Sequence, residues 1–150
     1  MEPVVVAIVD LYRSVHEQLR QIIQDMDDEE LNWSPGPEMN SVAVLVTHTL
    51  ASELDTLTFV RDVPNERDRE SEFQVEAASA SDLLASLDRA DAVLAEHAGA
   101  LGPGQLDAIR TRPGRDPQQG VHWLINNYGH AREHLGHAQL TKLLYEQRQA

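Results

Sequence analysis

The chain contains no cysteine. That removes disulfides, Cys-ligated zinc, iron–sulfur clusters and a protein thiol nucleophile from consideration. It is also short of positive charge. Twelve Lys+Arg stand against 25 Asp+Glu, a formal net charge of −13. Nucleic-acid binding draws on basic side chains that displace counterions from phosphates, so no nucleic-acid partner is expected. An anionic membrane surface is disfavoured for the same reason. Long apolar runs are scarce as well. The N-terminal run Val4-Val5-Val6-Ala7-Ile8-Val9 is interrupted by Asp10, has no basic flank and no small-residue cleavage site. It falls far short of the roughly 20 residues that span a bilayer. We therefore expect a soluble, cytoplasmic protein without a membrane anchor.

What is present supports a folded core. A hydrophobic fraction of 41% over 150 residues suits one domain, residues 1–150, that buries about two thirds of its unfolded surface. Apolar residues at Ile8, Leu11, Val15, Leu19, Ile22 and Met26 recur every three or four positions, the period of one helix face, and predict a first helix near 3–26. The acidic stretch from Asp25 to Glu30 ends it. Asn32-Trp33-Ser34-Pro35-Gly36-Pro37 reads as a loop. A second helix is predicted near 41–62, capped by Asn40 or Ser41, with Val42, Leu45, Val46, Thr49 and Leu50 on its apolar side. The charged stretch 64–76 reads as irregular, anchored by Phe73 and Val75. A third helix is predicted near 79–98. Residues 99–117 hold four Gly and three Pro and read as a long loop, and a fourth helix follows near 118–147. Four amphipathic segments without a convincing alternating pattern argue for an all-α four-helix bundle with long connections.

Seven histidines are the compositional oddity, and three of them fall within His130-Ala131-Arg132-Glu133-His134-Leu135-Gly136-His137. On a helix, His134 lies about 40° from His130, and His137 about 20° to the other side. His130 and His134 are one turn apart, about 6 Å along the axis, so their imidazoles can converge on one ion at about 2.0–2.1 Å. His48 offers a third ligand from a different helix, and bundle interiors are where such sites are built. Three histidines without a fourth protein ligand leave an open coordination position, as catalytic and substrate-binding metals require. Imidazole suits zinc, nickel, iron and copper alike. His16 and His97 read as ordinary histidines with satisfied hydrogen bonds. Trp123, Asn126 and Asn127 share the helical edge of the histidine group and are candidates to line a substrate pocket. For Trp123, plain bundle packing is the competing assignment.

These residues carry a resemblance. Met39-Asn40-Ser41-Val42-Ala43-Val44-Leu45-Val46-Thr47-His48 resembles the second helix of the DinB/YfiT-like superfamily of metal-binding four-helix bundles, which is unrelated to the DinB polymerase. His130-x-x-x-His134-Leu135-Gly136 is similar to that family's fourth-helix His-x-x-x-His-x-Gly-Gln motif. The Trp33-Ser34-Pro35 turn and Arg69-Glu70-Ser71-Glu72-Phe73 also look similar to it, so the resemblance spans nearly the whole chain. It implies a divalent metal, zinc, nickel or iron, held by His48, His130 and His134. His137 stands where the family usually has Gln, which leaves three roles for it: supporting the ligands, touching substrate, or adding a ligand. The resemblance further implies a homodimer and a small-molecule substrate. It points to a low-molecular-weight thiol as co-substrate, used for transfer or isomerisation.

Other functions fit parts of the pattern. An open metal position also activates water, giving a hydrolase. Glu133 and His137 flank the ligands and are candidate proton carriers. His130-x-x-Glu133-His134 spells the inverted zincin pattern, which calls for a third protein ligand well downstream; only 16 residues follow His134, and this assignment is not expected to apply. A di-iron bundle needs Glu-x-x-His twice, and the chain has none. A non-catalytic metal- or small-molecule-binding stress protein is the remaining alternative. It gains if His137 or His122 closes the coordination shell, although His122 lies about two turns before His130.

Overall fold

The computed structural model describes residues 1–77 and 79–149. Among these, four long helices dominate: α1 (Pro3–Ile23), α3 (Val42–Arg61), α5 (Ala80–Gly99) and α7 (Gly120–Gln149). Three short helices, α2 (Asp28–Asn32), α4 (Arg69–Glu72) and α6 (Pro103–Asp107), sit in the connections. An antiparallel ribbon pairs β1 (Ile109–Arg110) with β2 (Gln118–Gln119), Ile109 opposite Gln119 and Arg110 opposite Gln118. Both α1 and α3 pack against α5 and α7, so the two members of each pair lie diagonally across a four-helix bundle. The chain crosses the bundle between α1 and α3 and again between α5 and α7, which is why those connections are long.

The helix ends follow from local chemistry. Pro3 occupies the first turn of α1, where its missing N–H costs nothing. The Ser41 hydroxyl accepts from the Val44 N–H at 3.1 Å and caps α3. α3 stops where Asp62 turns left-handed, at φ 60°. α7 begins at Gly120, whose N–H donates to the Ala108 carbonyl at 3.0 Å. A Cβ there would stand 2.1 Å from the Gln105 carbonyl oxygen, so only glycine lets α6 and the ribbon close onto the bundle.

The core is built by all four long helices, with Tyr12, Val15, Leu19, Leu57, Leu87, Leu94, Leu124 and Leu135 fully buried. Tyr12 donates its hydroxyl to Asn127 Oδ1 at 2.7 Å, tying α1 to α7. Four sequence expectations are corrected. Leu11 is 41% exposed; the buried stripe of α1 runs through Ile8, Tyr12, Val15 and Leu19, and Leu11 lies about 100° from Tyr12 around the helix. The first helix ends at Ile23, and Asp27 starts a new short helix by accepting from the Glu30 N–H at 2.9 Å. The charged stretch 64–76 contains the one-turn helix α4, capped by Asp68. The Gly/Pro-rich stretch holds α6 and β1, whose partner strand β2 directly follows it. Among the described residues no helix is long and apolar enough to cross a membrane.

Candidate metal centre

The first half of α3 is apolar on every side, because it is enclosed: Val42, Ala43, Val44, Leu45 and Val46 are all buried. His48 is carried inward with them and is 5% exposed. Across from it, α7 presents His130 and His134 from successive turns, both half-buried. His48 Nε2 lies 3.3 Å from His130 Nε2, and His134 Nε2 lies 2.9 Å from the same atom. The three residues offer ligand atoms that all lie within 4.8 Å of one another. The structure thus brings together the spaced pair His130 and His134 and, from another helix, His48.

The other nitrogen of His48 is committed. Its Nδ1 stands 2.9 Å from Glu72 Oε1. Glu72 in turn accepts two hydrogen bonds from Arg67, at 2.8 Å from Nε and 2.9 Å from Nη2. Burial alone would raise the Glu72 carboxyl, but Arg67 and His48 outweigh it and hold it below the usual range. An ionised Glu72 only accepts, so in the neutral His48 ring the proton sits on Nδ1 and the lone pair on Nε2 points at the other two histidines. Phe73 lies against the His48 ring, centroids 4.8 Å apart, and restricts its rotation.

His130 and His134 are poised to be neutral. Burial and the neighbouring His48 push His130 down. Burial, with His130 and His48 beside it, pushes His134 down to about 4. Neutral imidazole is the form that binds metal. His130 Nε2 has one proton or one lone pair to offer, yet it faces two other ring nitrogens, while the Nδ1 atoms of His130 and His134 are buried without a protein partner. A cation among three lone pairs satisfies all three at once. The spacing agrees with this: nitrogens about 2.05 Å from a common ion stand about 3.3 Å apart at a tetrahedral angle and about 2.9 Å apart at a right angle. The residues present therefore fit a divalent transition ion with three histidine ligands.

A cavity of about 230 Å³ opens beside His48 and His130. Trp123, Asn126 and Asn127 all line it. Two of them also have structural duties. Trp123 donates its indole N–H to the Arg110 carbonyl at 3.2 Å and meets Phe59 edge-on. Asn127 donates to Ser52 Oγ at 2.9 Å while accepting from Tyr12. Glu133 and His137 are both exposed and are not among the residues lining this cavity. His137 lines a separate cleft with Leu45 and Leu140. His122 is exposed near the start of α7, beside a neighbouring cavity.

A second histidine cluster lies on another side of α3. Glu53 is about 140° around the helix from His48 and accepts from His16 Nε2 at 2.8 Å. Asp91 takes His16 Nδ1 at 2.7 Å and is also held by Arg20. Here burial would lower the His16 pKa, but its two carboxylates outweigh burial and raise it.

Sequence reasoning did not find Glu72, Arg67 or the two carboxylates on His16. All four are contributed from other elements, by a loop or a helix distant in sequence from the histidine they hold. The only signal was the position of Glu72 within the Arg69–Phe73 stretch.

A family model for the DinB superfamily matches residues 11–138. The chain belongs to the DinB superfamily. Its fold is shared by solved structures across nearly the full length. A conserved protein from Enterococcus faecalis is 20% identical, with a TM-score of 0.77, covering 95% of this chain and 96% of that one. A DinB-like protein, YjoA, from Bacillus subtilis is 17% identical, with a TM-score of 0.73, covering 93% and 92%. A DinB-like protein from Bacillus cereus is 14% identical, with a TM-score of 0.72, covering 93% and 91%. At these identities the likeness is one of fold. No curated protein matches the chain. Within this DinB superfamily member, the histidine cluster sits where α3 and α7 meet.

Proposed function

We propose that this DinB superfamily protein binds one divalent transition ion through His48, His130 and His134 and acts on a small molecule held in the adjoining cavity. The observation that carries the reading is the convergence of three Nε2 atoms at 2.9 and 3.3 Å around His130, with His48 fixed in the ligand tautomer by Glu72. A divalent ion held there supplies Lewis acidity, which makes a nucleophile of a coordinated thiol or water at neutral pH. The chain itself supplies geometry. Arg67 clamps Glu72 with two parallel hydrogen bonds, and Glu72 holds His48 in plane, so the ligand from α3 is set before binding. Trp123 and Asn127 form a wall whose polar atoms are already paired inside the protein, leaving an apolar ring face and the free Asn126 amide toward a bound molecule.

Thiol-dependent transfer or isomerisation is the chemistry we favour. The protein has no cysteine of its own, so a sulfur nucleophile must be brought in, and a divalent ion held by His48, His130 and His134 would supply the Lewis acidity that favours its thiolate form. Hydrolysis asks more, because Glu133 and His137 stand outside the cavity lining. The test is elemental analysis of protein purified without added metal, followed by cobalt substitution. One equivalent of metal, absent from His48→Ala, and a visible spectrum that shifts on adding a small thiol are the expected results. Full metal content in His48→Ala overturns the ligand set. A cobalt spectrum unmoved by thiols overturns the thiol chemistry while leaving the metal in place.

A further inference from the structure

Arginine is unevenly placed in this acidic chain. Of 12 Lys+Arg in the whole sequence, four arginines, Arg67, Arg69, Arg112 and Arg115, line the one cavity of about 230 Å³ beside the histidines. A single carboxylate, Asp55, lines it with them. That carboxylate is already engaged by Arg112 at 2.9 Å and by Arg67 at 3.4 Å, and Arg67 is also held by Glu72. Two of the four guanidinium charges are therefore matched inside the protein. Arg69 and Arg115 have no carboxylate within ion-pair distance among the described residues. A net charge of −13 would otherwise keep anions away, so two unmatched cations facing a concave polar site call for an anionic occupant.

The wall is also arranged in advance. Arg69 lies 5.0 Å over the Phe73 ring, and Phe73 in turn lies against His48. Arg112 is stacked 4.0 Å over Phe59. Arg112 spends its donors on Asp55, whereas the stacked Arg69 keeps its planar donor fork free at the edge, the geometry that matches a carboxylate or phosphate group. We propose that the cavity recognises a small molecule bearing a carboxylate or phosphate group, bound by Arg69 and Arg115 and backed by Arg112, with its other end directed to the histidine cluster. This rests on the reading of the cavity as the substrate pocket of the metal centre, and it narrows that substrate to an oxyanion.

The experiment uses inorganic phosphate, succinate and the neutral succinamide as probes, titrated calorimetrically into metal-free and zinc-loaded protein. We expect phosphate or succinate to bind at least about tenfold more tightly than succinamide, and to weaken at least about tenfold in R69Q/R115Q, since each charged hydrogen bond lost is worth about a factor of ten or more. Both side chains are exposed, so the variant should keep the wild-type melting temperature and metal content. Stronger binding of phosphate assigns a phosphoryl substrate, and stronger binding of succinate a carboxylate. Equal binding of succinamide and succinate, no binding of either anion at millimolar concentration, or unchanged binding in R69Q/R115Q each overturns the proposal. A protein that takes up no metal but binds the anion through these arginines refutes the metal reading alone. Metal uptake without anion binding refutes this inference alone.

Discussion

Two histidine clusters flank the same helix, and they are built from the same parts to opposite ends. In each, a histidine meets a carboxylate that an arginine also holds: His48 with Glu72 and Arg67, His16 with Asp91 and Arg20. The difference is what the second ring nitrogen meets. His16 Nε2 finds another carboxylate, Glu53, at 2.8 Å, so the ring is closed off and holds a proton. His48 Nε2 finds His130, which also faces His134, so a lone pair is aimed at two more imidazoles. One cluster binds its cation internally, as a proton. The other has a place for a cation from outside. Histidine content or burial does not separate the two, since both His16 and His48 are buried; the partner of the second nitrogen does.

The comparison breaks most sharply at the ligands. His48→Ala should weaken metal binding by about 10³-fold or more, because it removes one of the three proposed ligands that together would supply the binding free energy. His16→Ala should leave metal content at one equivalent. Elemental analysis of both variants, purified side by side, checks the pair. A His16→Ala protein that loses its metal would show that the two clusters are not separate in function.

Stability reverses the ranking. His16→Ala should cost about 3 kcal/mol in denaturant unfolding, near the lower end for breaking a buried ion pair. The lower end applies because Glu53, left without its partner, sits where burial already raises its pKa, and it can take up a proton instead of staying charged. His48→Ala in metal-free protein should cost less, since it relieves the crowding of three ring nitrogens.

Glu72→Gln comes next. The amide can still meet His48 Nδ1 but no longer holds its tautomer as firmly, and Arg67 is left without its bidentate partner. A loss of about 10–100-fold in metal affinity is expected, the usual effect of removing such a support. Competition with a zinc-binding dye measures it. Unchanged affinity would mean that His48 is positioned by packing against Phe73 and not by the carboxylate.

What the sequence disclosed about the two clusters follows from distance along the chain. The pairing of His130 with His134 was legible because a helix turns i and i+4 to one face. His48 was legible only as a histidine in the middle of another helix, within a pattern resembling a known family. The four-helix architecture was legible from apolar spacing, although Leu11 was drawn into a stripe that in fact passes through Tyr12. Glu72 and the four cavity arginines, Arg67 among them, were not legible. They lie on loops and a one-turn helix, where no period links sequence to direction, and the charged stretch that contains three of them reads like any solvated surface. His16 was read as a histidine with satisfied hydrogen bonds, and it is one, but its partners Glu53 and Asp91 sit on two other helices and nothing in the local sequence names them.

The smallest expected effect concerns pH, and there the clusters should act with opposite signs in metal-free protein. His134 is pushed from 6.5 to about 4 on folding, first by burial and then by His130 and His48, and His130 is lowered with it. Between about 4 and 6.5 the unfolded chain binds protons that the folded chain does not, so stability rises with pH across that window and is lost as pH falls through the folded value. His16 is the reverse. Its pKa is raised above 6.5, Glu53 and Asp91 outweighing burial, so the folded state keeps a proton that the unfolded chain gives up. Its contribution is complete below 6.5 and declines as pH climbs through the raised value. Each slope is bounded by about 1.4 kcal/mol per pH unit for each proton. Urea denaturation of the metal-free protein from pH 4 to 9 should therefore give a maximum near 6.5. His134→Gln should flatten the acidic limb, and His16→Gln the alkaline one. Saturating zinc should steepen the acidic limb by holding the ligands neutral in the folded state and leave the alkaline limb unchanged, because the proton on His16 is out of reach of the ion. If zinc alters the alkaline limb instead, the two clusters communicate through α3 and are not independent.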